Sequence, residues 1–173
     1  MSSPLDNYRS LIEKVDSLCN GIRQALGDQI TCSEGCSGCC TAITVFPVEA
    51  AALREAQNAL DPAAADMVRR HVADHADGER CPLLSHHRCL LYHARPIICR
   101  THGLPILYSS DNGRTLDCCP HNLPERESLT GAAIIDLDRL NTLLTAVNAL
   151  YLSQNDLGQR AERVSIFEAL LAG

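Results

Sequence analysis

Apolar residues recur at steps of three and four along the first part of the chain. They are Leu5, Tyr8, Ile12, Val15, Cys19, Ile22 and Leu26. This spacing lays one apolar stripe along a helix, and we expect that helix to span residues 3–27. An S-x-x-D capping box at Ser3 favours its start, and Gly27 favours its end. Cys19 falls on the stripe, so we expect a buried core residue there rather than a ligand.

Four further helices follow from similar patterns. Good helix formers fill residues 48–60, and the Asp61-Pro62 step starts a second run that reaches about residue 75. An apolar face predicts a long helix over residues 136–153. A short C-terminal helix is predicted from the box that Ser165 and Glu168 form.

Strand signals are short and few. Residues 42–46 form a β-like run that Pro47 ends, and residues 104–108 and 114–116 are separated by an Asn-Gly turn typical of a β-hairpin. We expect a fold that is mainly α with a small β-hairpin, an α+β class. A single domain over residues 1–173 would pack its helices around a cysteine-rich metal-binding region, with the core motif at 30–122.

Composition narrows the possible functions. The chain has 173 residues, 46% of them apolar, a formal net charge of −6 and only six aromatic side chains. An acidic chain with few aromatics argues against a nucleic-acid surface. No apolar run approaches the length of a membrane span, and the amino terminus lacks the pattern of a secretory signal. We therefore expect a cytoplasmic protein with no nucleic-acid or membrane partner.

The chain contains ten cysteines, and clustered cysteines in a reducing compartment are typical of metal sites. The first cluster reads Cys32-x3-Cys36-x2-Cys39-Cys40. Neighbouring side chains point in different directions, so Cys39 and Cys40 do not easily share one tetrahedral ion. The pair therefore favours a polynuclear centre or two neighbouring metals.

Further cysteines occur between residues 81 and 119. Cys81 and Cys119 are each followed by proline, as is the last ligand of bacterial ferredoxin runs, and Cys89 and Cys99 lie between them. Residues 80–110 contain four arginines and four histidines but no acidic residue. This local positive charge would offset an anionic thiolate centre, with Arg95 and Arg100 beside the cofactor. The alternative is a basic surface loop for a partner or an anionic ligand.

These motifs resemble the YkgJ-type cysteine-cluster family, whose domain is described as zinc- or iron-chelating. The pattern of that family implies eight metal ligands in this chain: Cys32, Cys36, Cys39, Cys40, Cys81, Cys89, Cys99 and Cys119. The C-x3-C spacing at Cys32 departs from the C-x2-C often written for the family. The domain is also similar to one in flagellin lysine N-methylases, but no loop of the S-adenosylmethionine type is present here.

Three functions are compatible with the amino-acid sequence. The first is an iron–sulfur protein with a 4Fe–4S cluster and a redox or electron-transfer role, which could make it an oxidoreductase. The second is a structural or regulatory zinc module, with several ions sharing bridging thiolates. The third is a thiol enzyme that uses Cys99 with His102, or Cys89 with His93. No motif identifies a redox partner, a small-molecule substrate or an oligomeric state.

Overall fold

The computed structural model describes residues 3–76, 78–123, 129–155 and 162–171. The α-helices within this part of the chain are α1 (Asp6–Leu26), α2 (Pro47–Asn58), α3 (Pro62–Asp74), α4 (Ile97–Thr101), α5 (Leu137–Gln154) and α6 (Ile166–Leu171). The strands are β1 (Thr44–Val45), β2 (Leu84–Ser85), β3 (Arg88–Cys89), β4 (Ile106–Ser110), β5 (Gly113–Asp117), β6 (Ile135–Asp136) and β7 (Val164–Ser165). Long helices with short strands confirm the predicted α+β class.

Local side chains lie at the starts of four helices. The Ser3 amide donates to the Asp6 carboxylate at 2.7 Å just before α1. Asp61 caps α3 and Asp136 caps α5, each by accepting from a backbone amide three residues later. Reciprocal bonds between Ser165 and Glu168 begin α6. Each cap satisfies an amide that has no partner within its own helix.

The strands form small separate sheets. β4 and β5 make the predicted hairpin, with Ser110 paired to Gly113 across the turn, and β6 adds to β4 in parallel. β1 pairs with β7, and β2 pairs with β3. The hairpin of β2 and β3 was not predicted, because its turn residues are His86 and His87 rather than Asn-Gly. Both adopt positive φ angles, 47° and 63°, which histidine visits more readily than most residues.

Two hydrophobic clusters support the cysteine-rich segments. The first joins α1, α4 and α5 and includes Cys19, which is 1% exposed, as its place on the apolar stripe predicts. The second joins α2, α3 and α6, and Cys81 and Cys89 pack against its edge. Cys99 lies on α4, which contacts α1. Among the described helices, none combines the length and apolar character that crossing a bilayer requires.

Candidate metal centre

One pocket collects cysteines from separate parts of the sequence. Its cavity holds about 200 Å³, and the cysteines that line it are Cys36, Cys39, Cys40, Cys81, Cys89 and Cys99. Side chains such as Ile43, Leu83 and Ile98 supply much of the remaining wall. Six of the eight predicted ligands therefore meet at one cavity, and the other two lie outside its lining.

Backbone pairing brings the first two cysteine segments together. The Cys81 amide donates to the Cys40 carbonyl at 3.1 Å, next to a β-bridge between Thr41 and Arg80. Cys89 is then returned toward Cys81 by the hairpin of β2 and β3, where it pairs with Leu84. These contacts place Cys40, Cys81 and Cys89 side by side although they span 50 residues of sequence.

The third segment reaches the pocket through α4. Its first amide, that of Ile97, donates to Glu49 Oε1 at 3.1 Å, and the Phe46 amide donates to Glu49 Oε2 at 3.0 Å. Glu49 is 2% exposed, so one buried carboxyl holds the starts of α2 and α4 together. Cys99 follows Ile97 by two residues and is fixed at the pocket wall by this contact.

Burial and mutual repulsion raise the pKa of the pocket thiols. Burial is the largest cause for Cys99, and the charges of Cys81, Cys89 and Cys40 add to it, so that its pKa rises to about 12. The pKa values of Cys40, Cys81 and Cys89 are also raised, first by burial. Arg95 acts in the opposite direction on Cys89 and Cys99. Without a cation between them, these thiols keep their protons at neutral pH.

Cys32 and Cys119 lie together beside Gly103. A Cβ atom on Gly103 would come within 2.8 Å of Cys32 Sγ and 3.7 Å of Cys119 Cβ. Asn122 Nδ2 is 3.3 Å from Cys32 Sγ and also donates to the Gly103 carbonyl at 2.6 Å. Burial, opposed by the Asn122 hydrogen bond and aided by the charges of Cys119 and Cys36, raises the pKa of Cys32. Cys36 thus links this pair to the pocket.

The two arginines predicted beside the cofactor have different surroundings. Arg95 lines the pocket, and its guanidinium lies 3.7 Å from the centre of the Tyr92 ring. Arg100 is not among the residues that line this cavity. It donates to the Asp16 carboxylate and to the carbonyls of His93 and Arg95. Arg95 therefore lines the cavity and Arg100 does not, and the predicted role of both arginines beside a cofactor stays a prediction.

Sequence reasoning missed Asn122, which is 2% exposed. Its Oδ1 accepts from the Thr31 amide at 2.9 Å, while its Nδ2 reaches Cys32 and Gly103. Asn122 therefore clamps the start of the first cysteine segment to the end of the last one. Only its position three residues after Cys119 could have suggested this, because the hydrogen bonds of its side chain reach residues that are distant in sequence.

The donor set suits zinc or an iron–sulfur centre, since both prefer thiolate sulfur. Within the described parts of the chain, no three His, Cys, Asp or Glu side chains already converge so that they could hold a single ion. The sulfurs line a common cavity instead. Binding would require the thiols to turn inward as they lose their protons.

Comparison with known proteins gives one match. A family model described as "CxxCxxCC: Putative zinc- or iron-chelating domain" matches residues 31–120. No curated protein and no solved structure matches the chain. The matched span includes the first cysteine of the cluster, Cys32, and the last predicted ligand, Cys119. It also coincides closely with the core motif predicted at 30–122.

Proposed function

The chain belongs to the CxxCxxCC family of zinc- or iron-chelating domains, and on that premise we propose that its pocket cysteines hold an iron–sulfur centre. The centre would be of the 4Fe–4S type and would serve electron transfer. Metal binding itself follows from the family. The identity of the metal and the redox role are the proposal.

One observation carries the proposal: six thiols line a single cavity, and four of them, which come from three segments, are partly buried. They are Cys40, Cys81, Cys89 and Cys99. Four cysteine thiolates are the ligand set of a 4Fe–4S cluster. The cavity between them, about 200 Å³, offers more room than one tetrahedral ion occupies. Cys36 and Cys39 also line the cavity, are exposed, and are further donors.

The surroundings of the cavity fit a centre that changes charge. An iron–sulfur centre would supply one-electron chemistry, and its potential depends on nearby charge and on exposure to water. Arg95 is the cation whose charge acts on Cys89 and Cys99, and its contact with Tyr92 fixes its orientation. Apolar wall residues, among them Leu83 and Ile98, limit the access of water.

Zinc is the second candidate, because the same donor set also suits zinc. The four partly buried thiols that line the cavity form an all-sulfur set of the kind found in structural four-cysteine zinc sites. In that case the domain would be a structural or regulatory module without redox chemistry. The zinc ions could share thiolates with the remaining cysteines.

A thiol enzyme is the third candidate function and the one with the least support. Cys99 and His102 both line the cavity, so they could meet a substrate there. Burial, with neighbouring thiols, raises the pKa of Cys99 to about 12, and a thiol that keeps its proton is a poor nucleophile. Catalytic cysteines have a lowered pKa instead.

Metal and sulfide analysis of protein purified without oxygen tests the proposal. We expect iron and acid-labile sulfide in equal amounts, together with broad visible absorption. The Cys99→Ser variant should lose both, whereas Cys118→Ser should retain them, because Cys118 does not line the cavity. Colourless protein with stoichiometric zinc and no sulfide would replace the iron–sulfur proposal by the zinc module. Protein without either metal, even after anaerobic reconstitution, would reject both.

A further inference from the structure

We infer that His87 supplies a nitrogen ligand to the metal centre, an inference that rests on the proposed metal-binding function and changes its ligand set. One imidazole and three cavity thiolates would then make up the four ligands. Two features of His87 carry this inference: its place in the cavity wall and the hydrogen bond that holds its ring. The cysteine motif of the family does not include this residue.

His87 lines the same cavity as the six cysteines. It is the second residue of the two-residue turn that joins β2 to β3, and it precedes Cys89 by two residues. The hairpin therefore brings the imidazole of His87 and the thiol of Cys89 to one cavity. His86, the first residue of the turn, is not among the residues that line it, although both histidines are exposed. The turn thus presents one of its two histidines to the cysteines.

The backbone conformation of this turn is one that asparagine and glycine usually supply. Both histidines have positive φ, as the central residues of a type I′ turn require. Residues other than glycine that are held in this region are often found at functional sites. Asparagine in place of His87 would suit the turn and remove the imidazole, so the side chain can be tested without disturbing the hairpin.

The ring of His87 is held by a buried serine. His87 Nδ1 and Ser37 Oγ are 3.0 Å apart, and Ser37 is 8% exposed. Ser37 lies between Cys36 and Cys39 in the first cysteine cluster, and its carbonyl accepts from Arg80 Nη2 at 2.7 Å. The hydrogen bond therefore joins the turn to the first cluster. It also leaves Nε2 as the ring nitrogen for a metal.

The chemistry of imidazole ligands agrees with this arrangement. A metal-bound histidine almost always donates the N–H of its other ring nitrogen to an oxygen acceptor, which fixes the tautomer. With its proton on Nδ1, His87 donates to Ser37 Oγ, and Nε2 carries a free lone pair. Zinc and iron both accept imidazole beside thiolate, as in zinc sites of three cysteines and one histidine and in Rieske centres. A neutral imidazole also adds no negative charge to a cavity in which Arg95 is the one permanent cation among the described lining residues.

NMR of the imidazole nitrogens tests the inference, on the reduced full chain labelled with ¹⁵N and with zinc as the probe. On addition of zinc, His87 Nε2 should take the chemical shift of a coordinated nitrogen, while Nδ1 stays protonated. The His87 signals are assigned by their loss in the His87→Asn variant. The matched control is His86→Asn in the same turn, which should remove signals that zinc does not move.

Zinc affinity, measured by competition with a chelator, gives a second readout. Ser37→Ala should weaken zinc binding by about 10–100-fold, because it removes the group that orients the ligand. His87→Asn should weaken it at least as much, whereas His86→Asn should leave it unchanged. Circular dichroism checks that each variant retains its helices.

Protein reconstituted with iron and sulfide extends the test to the proposed cluster. Pulsed EPR of the reduced centre should show a coupled nitrogen that His87→Asn removes and His86→Asn retains. His87 uncoordinated in both the zinc form and the iron form would overturn the inference and leave the proposed metal site in place. A chain that binds neither metal would instead reject the proposed function, and the inference with it.

Discussion

Arg100 of α4 donates two hydrogen bonds to the carboxylate of Asp16 in α1, at 3.0 Å to Oδ1 and 2.7 Å to Oδ2. The other guanidinium nitrogens donate to the carbonyls of His93 and Arg95. The Arg100 side chain is nearly buried, and the carboxylate of Asp16 balances its charge. The pair fixes the helix that carries Cys99 to the longest helix of the chain.

The Asp16→Asn variant should therefore lower the free energy of unfolding by about 1–2 kcal/mol, since a charged hydrogen bond to a nearly buried guanidinium is lost. Chemical denaturation of the metal-free protein measures this change. The matched control is Asp66→Asn, which removes an exposed ion pair with Arg69 and should cost less than about 0.5 kcal/mol. Equal effects for the two variants would show that Arg100 does not depend on Asp16.

Gly103→Ala should disturb Cys32. The new Cβ would lie 2.8 Å from Cys32 Sγ, and the φ of 89° is a conformation that alanine rarely adopts. We expect a loss of roughly 1–3 kcal/mol in stability and faster alkylation of Cys32. The control is Gly21→Ala in α1, where no heavy atom outside the neighbouring residues and the backbone of the helix itself lies within 4 Å of the added methyl group. That variant should gain about 0.5–1 kcal/mol because alanine favours the helix. An unchanged alkylation rate in Gly103→Ala would contradict the close contact.

The helices could be predicted because their signals are local. The apolar stripe and the glycine at its end predicted α1 to within a few residues, the Asp61-Pro62 step predicted the start of α3, and the apolar face predicted α5. α4 has only five residues between Pro96 and His102, which is too short for a periodic pattern to reveal. The hairpin of β2 and β3 was not predicted, because its turn contains histidines where the recognisable turn signal is Asn-Gly.

The candidate site also has features that could be predicted from local sequence and features that could not. Cysteine spacing predicted that separate segments would converge, and six of the eight cysteines do line one cavity. The position of Cys32 beside Cys119 could not be predicted, because it depends on contacts of Asn122 with residues far away in sequence. Asn122 is 90 residues from Cys32 and 19 residues from Gly103. The surroundings of Arg100 depend likewise on Asp16, 84 residues away in sequence.

The free energy of unfolding should depend on whether the Glu49 carboxyl is protonated. Burial, opposed by hydrogen bonds from the Phe46 and Ile97 amides and by Arg163, raises the pKa of this carboxyl. The folded state therefore binds the proton more tightly than the unfolded state, whose pKa is about 4.3. The contribution of Glu49 to stability is fully present below that pH and is lost as pH rises through the folded pKa.

The difference in unfolding free energy between wild type and Glu49→Gln should accordingly shrink as pH increases from about 4.3. Denaturation curves across this range measure it. Glu168→Gln is the control of opposite sign, because hydrogen bonds from Ser165 lower the pKa of the exposed Glu168 carboxyl. Its difference from wild type should shrink as pH falls instead. The same trend in both variants would contradict the raised pKa of Glu49.

Metal uptake should release protons and strengthen with pH. Burial first, and neighbouring thiols second, raise the pKa of Cys99 to about 12 and also raise those of Cys81 and Cys89. These thiols must lose their protons before they bind zinc, so the apparent affinity rises as pH increases toward the thiol pKa values. Calorimetric zinc titrations in two buffers of different ionisation enthalpy count the released protons. Cys99→Ser should release about one proton fewer than wild type, and Cys118→Ser should release the same number. Uptake without proton release would mean that the thiols are already ionised before the metal arrives, and it would contradict the effect of burial on this cluster.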